Sequence, residues 1–213
     1  MYPKIVILAQ GGSHGDFLCE LIKICNGQKG AEISESGQVL SGSMIKSMNN
    51  KAFTKPGLPT DLPTDWQGKN KEKYVMCHVW HEHMSNWPSD FYYIHMQSDQ
   101  ISTVITMYID KVFNGNVEAF LDSWKKEYPE KVSRYITTKT YLDIYTKLYL
   151  NLQNKFKPNA KKIQMTDLYD YDKVLKFLHD ACDWNGQNLT KINAFYNNWF
   201  SKNTKYIKKI IHK

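Results

Sequence analysis

The chain has no CxxC pair among its four cysteines, no apolar run near the ~20 residues of a membrane span, and no Gly-Lys-Ser/Thr after its glycine-rich segment. Each absence removes a class. The cysteines show no CxxC spacing. Three of Cys19, Cys25, Cys77 and Cys182 fall in apolar segments, as buried reduced thiols of an intracellular protein would. Without a long apolar run or a leader-like start, a soluble cytoplasmic protein with no membrane span is expected. The missing Gly-Lys-Ser/Thr excludes a Walker A loop, and no GxGxxG offers a dinucleotide fingerprint instead.

What is present is a basic chain of 213 residues, with 28 Lys+Arg against 21 Asp+Glu, a net charge of +7 and a pI near 9.0. Such a balance favours anionic ligands. The excess is mostly lysine and is scattered, so nucleic acid is an unlikely partner. The length suits one α/β domain over residues 1–213 and leaves little room for two.

The chain is organised around its first strand, turn and helix. Ile5 to Ala9 is an unbroken apolar run, and Phe17, Leu18, Leu21, Ile22 and Cys25 recur at helical spacing. Between them stand Gly11, Gly12, Ser13, His14, Gly15 and Asp16. A turn of this kind aims backbone N–H groups and the positive end of a helix at one place, where a phosphate or sulfate can sit. The same glycines would serve equally in an ordinary tight turn.

Residues 26–73 are rich in glycine and proline and read as a long irregular insertion or lid. Tyr74 to Trp80 is the second strand. It leads into His81, Glu82 and His83, so that His78, His81 and His83 gather at a strand end. Three readings stay open for that cluster: a metal site, a general base with His78 first and Glu82 in reserve, or structural histidines. No bound metal is expected, because strand alternation opposes convergence of the three rings. Phe91 to Gln97 is the third strand, and Ser98 or Asp99 the cap of a helix whose apolar face runs from Ile101 to Val112. Two helices divided by Pro129 are expected from Val117 to Phe156. A fourth strand, Lys162 to Leu168, and helices over Tyr171–Cys182 and Leu189–Ile211 complete the chain. Strands alternating with helices predict a three-layer α/β domain, its central, mainly parallel sheet flanked by helices.

In this order the pieces resemble the sulfotransferases, P-loop-type enzymes that use 3′-phosphoadenosine 5′-phosphosulfate. The segment Met165-Thr-Asp-Leu and the helix after it are similar to that family's Tyr-Glu-Asp-Leu unit. The resemblance implies a sulfuryl-donor nucleotide held by Gly11, Gly12, Ser13, His14, Gly15, Asp16 and Phe17, where the family has Lys-Ser-Gly-Thr-Thr. It implies 3′-phosphate contacts from His95 and Thr103, where the family has Arg and, eight residues on, Ser. It implies His78 as the general base toward an unknown hydroxyl or amine acceptor. Without the family's lysine and arginine, the alternative is a degenerate module that binds an anion, nucleotide or partner protein without catalysis.

Overall fold

The computed structural model describes residues 5–9, 12–40, 74–78, 92–127, 146 and 160–211; for 74–78, 124–127 and 211 it describes the backbone. Its centre is β1 (Ile5–Ala9), five consecutive buried residues. A strand covered on both faces needs such an unbroken apolar run. β1 pairs in parallel with β2 (Tyr74–His78) on one side and β3 (Tyr92–Gln97) on the other, and β3 pairs in parallel with β4 (Lys161–Gln164). The sheet order is β2-β1-β3-β4, the parallel α/β sheet that the alternation of elements predicts.

Helix α1 (Gly15–Cys25) follows β1. Its apolar face, Phe17, Leu18, Leu21, Ile22 and Ile24, is buried. Glu20 is buried as well, held by Lys23 at 3.1 Å and by the backbone N–H of Ala31 at 3.0 Å. α2 (Ile101–Phe113) and α3 (Val117–Glu127) follow β3. After β4, a 3-10 helix over Met165–Tyr169 leads into α4 (Tyr171–Cys182) and α5 (Leu189–Ile211). The stripe Ile192, Tyr196, Trp199, Asn203, Ile207 and Ile210 is buried along α5. Trp199 stacks on Phe17 of α1 with ring centroids 3.7 Å apart and planes 13° from parallel.

Three local expectations change. The fourth strand stops at Gln164, because the Asp167 carboxylate accepts from Gln164 N–H at 3.2 Å and closes a capping box on the 3-10 helix. Helix α2 is capped at Gln100, not at Ser98 or Asp99; Ser98 Oγ instead accepts from Gln100 N–H at 3.0 Å, in a local turn just before the helix. Gly15 begins α1 and is not part of the turn.

Within the irregular insertion, residues 26–40 are described. They form a tight turn from Ser34 to Gln38, flanked by a bridge between Ile33 and Val39. The rest of the insertion and most of the expected helical stretch from 128 to 156 lie outside the described residues. Among those described, no helix is long and apolar enough to cross a membrane.

Candidate functional site

The carboxyl end of β1 and the first turn of α1 meet at Gly12, Ser13 and His14. Gly12 has φ +86°, and a Cβ there would lie 2.7 Å from Val104 O and 2.9 Å from Tyr108 Cβ on α2. The glycine therefore lets the turn close against a helix, and the space beside its Cα is filled by protein. Ser13 is buried. His14 is the residue before α1, in the left-handed conformation at φ 64°, ψ 28°, with no side-chain bond to the helix. A non-glycine residue there is uncommon, and such conformations cluster at sites. Its ring stands edge-on to Trp199 at 4.9 Å and to Tyr169 at 5.9 Å.

A pocket of about 220 Å³ opens at this place. His14, Gly15, Asp16 and Phe17 form one wall, Tyr108 and Lys111 of α2 another, and Gly37 to Val39 with Trp199 close it. Lys111 is the cation that the turn itself lacks. Its Nζ donates to Oδ1 of the buried Asn203 and lies 4.9 Å from the centroid of the Tyr206 ring. Asn203 in turn donates to Gly37 O at 3.0 Å and Trp199 O at 2.8 Å. One side chain of α5 thus fixes the lysine, the covering turn and its own helix.

The electrostatics follow from burial. Burial and then the nearby Lys111 hold the His14 ring well below its usual range, so it is neutral. Burial, with help from Glu20, raises the Asp16 carboxyl to about 7. Burial lowers the Lys111 ammonium to about 8. Near neutral pH the carboxyl and the ammonium are both poised to change charge.

Of the residues named from sequence, Gly12, His14, Gly15, Asp16 and Phe17 come together around this pocket, and Ser13 lies buried between them. His95 and Thr103 do not line it. His95 is buried on β3, opposite Leu8 and Lys162, and burial followed by Lys162 takes it to about 3. As a neutral ring it offers no charge to a 3′-phosphate. Thr103 is buried in the first turn of α2. His78 ends β2 in register with Ala9, which brings its backbone beside the last residue of β1. Gly11, His81, Glu82 and His83 lie outside the described residues.

Comparison with known protein families, with curated proteins and with solved structures gives no match. The site stands on its own geometry. Among the described residues, no three His, Cys, Asp or Glu side chains converge as metal ligands would.

Sequence reasoning missed Lys111 and Trp199. Lys111 lies three residues after Tyr108 and seven after Val104, the two residues that Gly12 touches. That spacing puts it on the same helix face. The signal was present, but nothing in the sequence said which face of α2 meets the turn.

Proposed function

We propose that the pocket at the start of α1 binds the phosphate-bearing end of a nucleotide or a comparable small oxyanion, the anion-binding half of the sulfotransferase outline. The observation that carries this is the position of Lys111, a residue that lines the same pocket as the first turn of α1. The N–H groups of that first turn lack partners within the helix and carry the positive end of its dipole. A volume of about 220 Å³ suits a phosphosulfate group better than a whole nucleotide, since pockets for drug-sized ligands run ~300–1,000 Å³. With 3′-phosphoadenosine 5′-phosphosulfate, the turn and Lys111 would hold the phosphosulfate end. Calorimetric titration with 3′-phosphoadenosine 5′-phosphate tests this. Binding that weakens at least ~10-fold in Lys111→Met, about 1.4 kcal/mol, is expected; no binding, or equal binding by the variant, would sink the proposal.

A second reading adds chemistry: sulfuryl transfer to a hydroxyl or amine acceptor. It is favoured by the register of His78 with Ala9, at the sheet end where the turn begins. In that reaction the acceptor oxygen or nitrogen bonds to sulfur, the bridging O–S bond of the donor breaks, and the imidazole of His78 takes the acceptor proton. Loss of turnover in His78→Ala with nucleotide affinity intact would be its signature. Equal turnover would remove His78 from the reaction.

A further inference from the structure

The pocket at the start of α1 holds more polar groups than its own contacts satisfy. Trp199 is fully buried and lines it, yet its Nε1 has no hydrogen-bond partner among the described residues. The same holds for Nε2 of His14 and Oδ1 of Asp16, which also line it. Buried polar atoms are rarely left unpaired, and a cluster of them points to a missing polar occupant. An indole N–H can only donate, so the absent partner is an acceptor. Lys111 and the N–H groups of the first helical turn add further donors to the same space. Within this donor set Asp16 stands apart. Its carboxylate would repel an anion, whereas its carboxylic acid would donate a hydrogen bond to one.

We propose that this pocket takes up a tetrahedral oxyanion together with one proton from solvent, the proton residing on Asp16 and joining its carboxyl to the ligand. This rests on the anion-binding function proposed above and adds the residue that makes it proton-linked. The ionisable groups near Asp16 are His14 just before α1, Glu20 on α1, Lys111 and Tyr108 on α2, and Tyr169 beyond His14. Glu20 is occupied with Lys23 and the Ala31 N–H, and its charge opposes ionisation of Asp16. His14 stays neutral, and burial moves the Tyr169 hydroxyl far above neutrality. That leaves Asp16, at about 7, as the group that changes charge first as pH rises, and Lys111, at about 8, as the second. A bound anion favours the protonated form of both, and its affinity falls as either proton is lost.

The probe is sulfate, which carries no titratable proton in this range, so any proton taken up belongs to the protein. Calorimetry on the full chain at constant ionic strength, in two buffers of different ionisation enthalpy, counts that proton. Wild type should take up about one proton per sulfate at pH 7.5 and much less at pH 5.5. Its affinity should fall several-fold between pH 6 and 7.5. Asp16→Asn should bind with nearly constant affinity over that interval and weaken only as Lys111 discharges. Wild-type affinity that is flat from pH 6 to 7.5, or an Asp16→Asn protein that keeps the wild-type slope and proton count, overturns the role of Asp16 and leaves the anion pocket standing. Absence of sulfate binding at every pH, in wild type that is folded by circular dichroism, overturns the pocket as well. If the variant does not fold, the wild-type affinity profile decides instead: a fall centred near pH 7 is the signature of Asp16, and one that begins only near pH 8 belongs to Lys111 and overturns the role of Asp16.

Discussion

Lys111 on α2 donates a hydrogen bond from Nζ to Oδ1 of Asn203 on α5, so the lysine of the pocket is held by a side chain that is itself wholly buried. The amide nitrogen of Asn203 donates to Gly37 O and Trp199 O, which leaves no part of its head group idle. Pocket cation, covering turn and the longest of the described helices therefore meet at one residue.

Replacing Asn203 should be costly in two ways. Asn203→Leu removes three hydrogen bonds and leaves the Gly37 carbonyl and the Lys111 ammonium short of a partner, a loss of ~2–4 kcal/mol. Urea unfolding should show that loss, and nucleotide or sulfate affinity should fall with it because Lys111 is no longer positioned. Unchanged stability would mean that the network contributes nothing.

Two glycines in the same left-handed region separate packing from backbone strain. At Gly12 a Cβ would meet Val104 O and Tyr108 Cβ under 3.0 Å, whereas at Gly27, with φ +80°, a Cβ meets nothing within 4 Å. Gly27→Ala should cost ~1–2 kcal/mol, the strain alone, and Gly12→Ala ~1–3 kcal/mol beyond that from overpacking. Equal losses at the two sites would show that α2 moves aside.

Trp199 combines a large stacked surface with an unpartnered N–H. Trp199→Phe should keep the contact with Phe17, change stability by less than ~1.5 kcal/mol, and weaken anion binding several-fold by removing a donor. Trp199→Ala should cost ~3–5 kcal/mol through the cavity it leaves. Thermal unfolding and sulfate titration of the two variants check both halves.

Stability without ligand should dip near neutral pH. The folded state raises Asp16 from 3.8 to about 7, so between those values the native protein binds more protons than the unfolded chain and stability falls as pH rises. Lys111 is lowered from 10.5 to about 8, so between 8 and 10.5 the unfolded chain binds more protons and stability climbs. His14, lowered from 6.5, adds a rise with pH below 6.5 that partly opposes Asp16. Comparing Asp16→Asn with wild type isolates the carboxyl: the stability difference should grow from pH 4 to 7, reach at most ~4 kcal/mol and then level off. A difference that does not vary with pH would place Asp16 in water.

The elements that were legible in sequence are those whose burial follows one simple period. Ile5 to Ala9 is apolar at every position because β1 lies inside the sheet, and Val174, Leu178 and Ala181 mark the buried side of α4 at helical spacing. The 3-10 helix was not legible, since Ile163 and Met165 alternate with polar neighbours as a strand would. A single carboxylate, Asp167, settled the matter through its bond to Gln164 N–H. In the site, the turn was legible because glycines punctuate it. Lys111 was not, because its place depends on how α2 docks. His95 stands where the resemblance implies a 3′-phosphate contact, and its burial on β3, away from the pocket, depends on packing that the sequence does not state.

The sheet order also dictates when this protein can fold. β1 lies between strands that begin at Tyr74 and Tyr92, and Phe17 of α1 waits for Trp199 to cover it. Contacts between residues so far apart in sequence slow the search for the native state. As the chain leaves the ribosome, the most apolar of the described strands and the face of α1 emerge before the partners that cover them. Until then they are a target for chaperones or for pairing with another nascent chain, and the yield of folded protein should depend more on that interval than on final stability.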